Sequence, residues 1–177
     1  MVRRTRKHAF TLVELAFVLA FILVLFAMAI PNFLEAQTRA EVARSKLELV
    51  VIASALESYR TDLGAYPPNK VTRVQSAADL VPITTPIAYM TRLPRLAKDA
   101  RNPRHEVFPE YLNLGQIYPP DKPYQPPFIG GCALYSITYT GPDGVYDTQA
   151  ATDPITYNIY DPTNGTTSKG DTVVFGP

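Results

Sequence analysis

An uninterrupted apolar stretch near the N-terminus constrains the fold of this chain more than any other feature. Between Ala9 and Ile30 the only polar side chains are Thr11 and Glu14. An α-helix of this length extends about 33 Å, which matches a hydrocarbon core of about 30 Å, so the stretch predicts a membrane-spanning helix. An ionised carboxylate inside such a helix costs about 2.5–3.5 kcal/mol on insertion scales. Glu14 therefore needs either a partner or a function.

The short basic leader before this stretch permits three interpretations. It carries Arg3, Arg4, Arg6 and Lys7. A cleaved secretory signal should have a shorter apolar run and a small-residue cleavage site, where this chain has Pro31-Asn32. A simple signal anchor with a cytoplasmic leader explains the basic residues and leaves Glu14 unexplained. Cleavage between Ala9 and Phe10 would create an amine that is cationic near neutral pH and able to pair with Glu14.

Composition limits the classes of protein to consider. Among 177 residues the net charge is +1, but four of the 17 Lys and Arg residues lie in the leader. The rest of the chain has 13 basic against 16 acidic residues, a net charge of −3, so no nucleic-acid partner is expected. The single cysteine, Cys132, excludes an intramolecular disulfide and is predicted to be a small buried thiol. No nucleophile-elbow, phosphate-loop or paired-histidine motif is present, so the sequence does not indicate an enzyme.

Residues 31–63 are predicted to continue the helix in amphipathic form. The apolar stripe consists of Val42, Leu49, Ile52, Leu56, Tyr59 and Leu63. We expect this stripe to pack on the globular part of the chain, while Leu47 and Val51 lie off it and are available to a neighbouring subunit. Pro31 is expected to kink or locally open the helix. The helix should end at Gly64-Ala65-Tyr66-Pro67-Pro68.

The remaining chain divides into a Pro-rich part and a strand-forming part. Residues 64–130 are predicted to be irregular, and their basic stretch Lys70–Arg104 is either a solvated loop or a docking face for an acidic neighbour. Residues 131–177 contain three strand-like runs, Leu134–Tyr139, Ile155–Tyr160 and Thr172–Phe175. The predicted fold class is α+β: a long N-terminal helix packed on a small antiparallel sheet, with a loop-rich, Pro-rich insert.

The C-terminal segment is rich in acidic side chains beside glycine turns. Asp143 lies in the turn Gly141–Gly144, and Asp147, Asp161 and Asp171 follow. Carboxylate oxygens are suitable ligands for a hard cation such as Ca²⁺, although the spacing does not match an EF-hand. Capping of the turns by Asp side chains explains the same composition without a metal. The residues alone leave both explanations open.

With its basic leader, its Phe10–Leu15 motif, its apolar helix and Pro31 at the far end, the chain resembles the type IV pilin and pseudopilin superfamily. The resemblance implies that a prepilin peptidase cuts between Ala9 and Phe10 and methylates the new amine, giving N-methylphenylalanine. It also implies that Glu14 directs docking of the subunit into a filament and that the helix can open near Pro31 on packing. The family usually has Gly before the cut, where this chain has Ala9.

Within that superfamily, the chain looks most like the major, G-type pseudopilins of type II secretion. Both have a Gly-x-Tyr-Pro step after the long helix, here Gly64–Pro67. In that branch a calcium-bound C-terminal loop after a Gly-x-Asp-Gly step replaces the pilin disulfide. Carried over to Gly141–Gly144, the resemblance implies Ca²⁺ as a cofactor. The ligands it implies are Asp143 and Asp147 first, then Asp161 and Asp171.

The function implied by the resemblance is that of a structural subunit of a type II secretion pseudopilus. Five segments follow: a cleaved leader (1–9), a transmembrane and filament-core helix (10–30), its amphipathic continuation (31–63), the Pro-rich segment (64–130), and a β-sheet with an acidic C-terminal loop (131–177). The expected partners are further copies in a helical filament, the prepilin peptidase, an inner-membrane assembly platform and minor pseudopilins. The expected location is the bacterial inner membrane, with the C-terminal domain in the periplasm. The alternatives are a type IV pilus subunit and a membrane-anchored binding module.

Overall fold

The structure, a computed structural model, describes residues 10–69, 77–94, 96–98, 106–127, 129–148, 154–164 and 169–177. The chain divides into two compact units, residues 1–37 and 38–177. Helix α1 is assigned from Leu12 to Leu63. In chain order the later elements are β1 Leu96–Lys98, β2 Glu106–Val107, β3 Glu110–Asn113, α2 Leu114–Ile117, β4 Tyr135–Tyr139 and β5 Thr172–Gly176. Short 3-10 turns cover Ala77–Asp79, Val81–Ile83 and Pro162–Asn164.

The described part of the first unit is the apolar portion of α1. Residues 10–37 are all exposed, including Phe17, Leu23 and Phe33. By length and composition, α1 is long and apolar enough to cross a membrane. Pro31 lies inside a helix that is assigned without a break, so the isolated chain keeps its helix at this proline. Opening of the helix at Pro31 on packing into a filament stays a prediction.

The second unit is built on a three-stranded antiparallel sheet in the order β3-β4-β5. Directly opposite residues in such a ladder share one face of the sheet. One face, which we call the helix face, carries Tyr111, Ile137 and Val174, which lie in one row across the strands. The opposite face, the loop face, carries Leu112, Ser136 and Phe175 in another row. Strands β1 and β2 form a separate two-stranded pair.

Helix α1 packs on the helix face through the stripe that the sequence predicts. Leu49, Ile52 and Leu56 have no exposed surface and lie in one cluster with Tyr111 and Ile137. Complete burial of such side chains contributes about 1.5–3 kcal/mol each. The ends of the predicted stripe are less buried, because Val42 is half-buried and Leu63 is 56% exposed. The α+β architecture, a long helix on a small antiparallel sheet, is confirmed.

A second apolar cluster covers the loop face of the sheet. It is formed by Leu112, Leu114, Tyr124, Ala133, Ile155 and Tyr157, with Val173 and Phe175 packed against it. The Tyr157 ring stands edge-on to Phe175 with centroids 4.9 Å apart, and Tyr124 lies 5.8 Å from Tyr157. The sheet is therefore covered on both faces, by the helix on one side and by loops on the other.

The tyrosine after α1 ties the end of the helix to the C-terminus. The Tyr66 hydroxyl donates to Glu57 at 2.9 Å, lies 3.0 Å from the Pro177 carbonyl oxygen and accepts from Arg60 at 2.9 Å. Burial is the largest cause that raises the pKa of Tyr66, to about 12. The helix ends where the sequence predicts, at Gly64, whose positive φ of 75° favours glycine. The Tyr66 contacts then fix this end of the helix to the C-terminus.

Three sequence expectations differ from the structure. Residues 64–130, expected to be irregular, supply β1, β2, β3 and α2. The run Ile155–Tyr160 contains bridge residues but no strand: Ile159 bridges to Asp171, Thr156 is a second bridge residue, and the buried side chains of Ile155 and Tyr157 pack on the loop face of the sheet. Cys132 was expected to be buried and is exposed, since it lies in the turn before β4.

Candidate functional site

The first candidate site is the start of α1, where Glu14 closes a reciprocal cap with Thr11. The Glu14 Oε2 atom accepts hydrogen bonds from the Thr11 backbone N–H and from the Thr11 hydroxyl, both at 2.9 Å. The Thr11 Oγ1 atom in turn accepts from the Glu14 backbone N–H at 3.2 Å. This is a capping box, which satisfies backbone donors that the first turn of a helix leaves without partners.

The capping box gives Glu14 a local role that the sequence analysis missed. The signal was present, because Thr11 and Glu14 have the Ser/Thr-x-x-Glu spacing directly before a helix. Phe10 is 81% exposed, and Ala9 lies outside the described residues. The structure therefore shows where the Glu14 carboxylate rests in a single chain, and its pairing with a Phe10 amine stays a prediction.

The second candidate site lies around Asp171, at the loop end of β5. Asp171 is completely buried, and its Oδ2 atom accepts from the backbone N–H groups of Asp147 at 3.0 Å and Thr148 at 2.6 Å. The Thr148 hydroxyl donates to the same oxygen at 2.6 Å. Asp147 completes the link, because its Oδ2 atom accepts from the Gly170 N–H at 3.0 Å. The two acidic side chains therefore fasten the loop after β4 to the start of β5.

Close backbone approach makes this junction depend on glycine. A Cβ atom added to Gly141 would collide with the carbonyl oxygen of Gly170. Gly170 itself has a φ of 121°, a conformation that side chains rarely permit. The Gly141–Gly144 turn that the sequence singled out is thus a packing site for the Gly170–Asp171 segment.

A buried glutamate, Glu110, lies on β3, which is on the other side of the central strand β4 from β5 and Asp171. Glu110 is 2% exposed and lies directly opposite Thr138, so both side chains are on the loop face. Desolvation, followed by the charges of Asp171 and Asp79, raises the pKa of Glu110 to about 7. Desolvation also raises the pKa of Asp171 to about 6, against the lowering effect of the hydrogen bonds from Thr148.

The four aspartates implied as calcium ligands occupy different environments. Asp147 and Asp171 lie together, as described above. Asp143 accepts from the Val145 N–H at 3.0 Å within its own turn. Asp161 is exposed and accepts from the Thr163 N–H at 2.8 Å and the Thr163 hydroxyl at 2.7 Å, bonds that lower its pKa. Within the described residues, no three Asp, Glu, His or Cys side chains are grouped so that they could hold a metal ion.

Sequence reasoning did not identify Glu110 as a site residue. It lies in the Pro-rich segment 64–130, where no strand was expected, and a single glutamate between Pro109 and Tyr111 carries no motif. Only the pairing of β3 with β4 shows that its side chain is buried on the loop face. Its proximity to Asp171 therefore required the tertiary structure.

Comparison with known proteins identifies relatives along most of the chain. It is 28% identical over 153 residues to the type II secretion system core protein G of Pseudomonas aeruginosa, covering 84% of this chain and 94% of that protein. It is also 38% identical over 61 residues to the type IV major pilin protein PilA of Myxococcus xanthus. That second match covers 34% of this chain and 28% of the pilin. No protein-family model and no solved structure matches.

These matches agree with the architecture. A long apolar helix begins two residues after Phe10, and its second half packs on a small antiparallel sheet. The match to core protein G covers 84% of this chain, so it extends well beyond the 52-residue helix α1. The chain is therefore similar to the type IV pilins and pseudopilins, and over most of its length to a pseudopilin of the G type.

Proposed function

We propose that this chain is a structural filament subunit of a type II secretion pseudopilus, which polymerises through its N-terminal helix and helps to move exported proteins out of the periplasm. The observation that carries the proposal is the match to core protein G over 84% of the chain, together with the exposed apolar side chains in the first half of α1. Such a surface needs a lipid or protein environment. The membrane provides lipid before assembly, and neighbouring subunits provide protein contacts in the filament. The proposed role is mechanical and includes no catalytic step.

Processing at the N-terminus is part of the proposal. A prepilin peptidase would cut between Ala9 and Phe10 and methylate the new amine, leaving Glu14 five residues into the mature chain. The uncut subunit would span the inner membrane once, with the leader in the cytoplasm and residues 38–177 in the periplasm. The assembly platform and minor pseudopilins are the proposed further partners.

An exposed aliphatic strip on α1 supports contacts between subunits beyond the membrane. Leu47, Val50 and Val51 are 68%, 55% and 56% exposed, on the side of the helix away from Leu49 and Leu56. Val51 also borders an open groove formed with Thr84, Tyr89, Leu93 and Phe108, among others. We propose that a neighbouring subunit covers this strip in the filament.

The test is deletion and complementation in the native host. Loss of exported-protein secretion with surface pili unchanged supports the secretion role. Loss of surface pili with secretion unchanged would instead establish the second candidate, a type IV pilus subunit, which the 61-residue match to a major pilin favours. Intact-mass analysis of the membrane-extracted protein tests the processing, because retention of residues 1–9 in cells with an active prepilin peptidase would contradict it.

Calcium binding at the C-terminal loop is also proposed. Asp171 offers one supporting observation, because its Oδ1 atom is buried and has no hydrogen-bond partner among the described residues. The residues that would hold the ion are Asp171 and Asp147, with Asp143 and Asp161 as the further members that the resemblance implies. Bound Ca²⁺ would supply the cross-link between the loop after β4 and β5 that a disulfide supplies in other small exported domains.

A further inference from the structure

Strand β5 lies at one end of the three-stranded sheet, with β4 on one side of it. We call its other side the outer edge. Directly before β5, Asp171 forms a parallel bridge with Ile159 on that side. The Asp171 N–H donates to the Asn158 carbonyl at 2.7 Å, and the Asp171 carbonyl accepts from the Tyr160 N–H at 2.9 Å. Within the described residues, no further backbone hydrogen bond reaches the outer edge along β5.

Alternation along the strand identifies the backbone groups that remain at the outer edge. Successive residues of a strand direct their N–H and C=O groups to opposite sides. Asp171 pairs away from β4, so Val173 and Phe175 direct their backbone groups away from β4 as well. Gly176 agrees with this assignment, because its carbonyl accepts from the Leu134 N–H at 2.9 Å on the β4 side. Two N–H and two C=O groups therefore point outward without a backbone partner among the described residues.

The chain's own segment cannot continue the pairing along this edge. In a parallel ladder that extends from Ile159 and Asp171, the next N–H to reach β5 would be that of residue 162, and it would donate to the Val173 carbonyl. Residue 162 is a proline and has no N–H. Pro162 also begins the 3-10 turn Pro162–Asn164. The outer edge beyond Asp171 is therefore left to another chain or to solvent.

An apolar hollow borders the same end of β5. It has a volume of about 450 Å³ and is lined by residues 129–133 and 175–177. The Phe175 side chain packs with the cluster on the loop face. A strand added at the outer edge would direct every second side chain to that face. The edge thus offers backbone pairing, and the hollow beside it can accept one apolar side chain.

We propose that the outer edge of β5 binds an extended segment of another polypeptide by strand addition, with an apolar side chain of that segment in the hollow. In this mode of recognition main-chain hydrogen bonds give affinity, and pockets for alternate side chains give specificity. The matching segment is short, has no proline at its pairing positions and carries an aliphatic side chain. The inference goes beyond the filament role, which uses α1, and does not depend on it.

A second copy of β5 matches this edge poorly, which favours a different polypeptide as the occupant. Three antiparallel registers place Val173 or Phe175 of one copy opposite either residue of the other. The first puts Phe175 opposite the second copy's Asp171, where Ile159 is already paired. The next puts Pro177 at that occupied position. The last puts Val173 opposite Pro177, which has no N–H to donate.

A synthetic peptide tests the pairing on the full-length, ¹⁵N-labelled protein in non-ionic detergent. The probe is the blocked pentapeptide Thr-Leu-Thr-Leu-Thr, and its matched control carries N-methyl groups on its three internal amides. We expect the probe to shift the Val173 and Phe175 amide resonances saturably and the control to bind at least tenfold more weakly. N-methylation removes the donors in every register and makes the peptide more apolar. Simple apolar association, with the protein or with detergent, would therefore favour the control.

Amide hydrogen exchange tests the edge itself. Without peptide, the Val173 and Phe175 amides should exchange much faster than the Val174 amide, which is directed to β4 opposite Ile137. Saturating probe should slow the exchange of the first two amides and leave that of Val174 unchanged. The contrast between neighbouring residues separates strand addition from a general stabilisation of the sheet.

Two variants test the two parts of the site. Val173→Pro removes an outward N–H at an edge position, where proline is tolerated, and should weaken binding at least tenfold, whereas Val173→Ala should stay within about twofold. A Cβ atom at Gly131 would meet no atom within 4 Å, so Gly131→Leu can partly fill the hollow. It should abolish the advantage of the leucine probe over Thr-Ala-Thr-Ala-Thr. Near-ultraviolet circular dichroism checks that each variant is folded.

Three results would overturn the inference, and two of them need no variant. One is exchange of the Val173 and Phe175 amides as slow as that of Val174 in the free protein, which would mean that the edge is already covered. Another is binding of the N-methylated control within twofold of the probe. The third is a peptide-free dimer that Val173→Pro dissociates, which would assign the edge to a second copy.

Discussion

Replacing Glu14 by glutamine separates the two roles that this side chain can have. In the structure Glu14 caps its own helix through Thr11 at 2.9 Å. Glutamine serves equally well at this position of a capping box, so the helix start should be preserved. The substitution removes the charge, however, and with it the ability to pair with the amine that cleavage creates at Phe10. It therefore tests the charge alone.

The magnitudes predict opposite effects on insertion and on assembly. A carboxylate at the centre of a membrane helix costs about 2.5–3.5 kcal/mol, and Glu14, in the first turn, costs at most that; removing it should leave insertion at least as complete as in wild type. An ion pair at about 4 Å in a partly screened environment is worth on the order of 4 kcal/mol, roughly a thousandfold in the equilibrium for docking a subunit. We expect Glu14→Gln to insert normally and to leave filament assembly below detection.

Carbonate extraction measures insertion, and electron microscopy with cross-linking of sheared fractions measures assembly. Thr11→Val is the matched control, because it removes the hydroxyl that bonds Glu14 and keeps the charge. Loss of a cap costs about 1 kcal/mol of helix stability, so this variant should still assemble. Normal assembly by Glu14→Gln together with failure of Thr11→Val would refute the reasoning and assign Glu14 to capping.

Three further predictions concern the globular unit of the full-length protein in detergent. Leu56→Ala should lower the free energy of unfolding by about 2–5 kcal/mol in urea titration, whereas Val51→Ala, on the exposed side of the helix, should change it by less than about 0.5 kcal/mol. Equal losses would contradict the packing of α1. Gly141→Ala should lower the melting temperature by several degrees, because its methyl group meets the Gly170 carbonyl. Burial raises the pKa of Tyr66 and Tyr139 to about 12, above the ordinary 10, so the stability that they contribute is complete below pH 10 and is lost as pH rises through 12. Ionisation of all tyrosines near pH 10, followed by absorbance at 295 nm without unfolding, would contradict that burial.

The sequence by itself determined the parts of the protein that depend on local pattern. The uninterrupted apolar stretch from Ala9 to Ile30 predicts a membrane-spanning helix by its length. The stripe through Leu49 and Leu56 predicts the buried side of its continuation, because a period near 3.6 residues can be recognised without knowing what packs against it. The strands Tyr135–Tyr139 and Thr172–Gly176 were predicted within one residue at each end. Turn chemistry at Gly64 located the end of the helix for the same reason.

Only the tertiary structure decided which distant segments meet. Glu110 became a site residue because β3 pairs with β4 across more than twenty residues of chain, and no local pattern records that register. Other non-local contacts, the bridge to Ile159 and the hydrogen bonds from the loop after β4, accompany the burial of Asp171, whereas Asp161 lies in an exposed turn. A residue's burial depends on what covers it, and in this chain the covers come from distant loops as well as from neighbours in sequence.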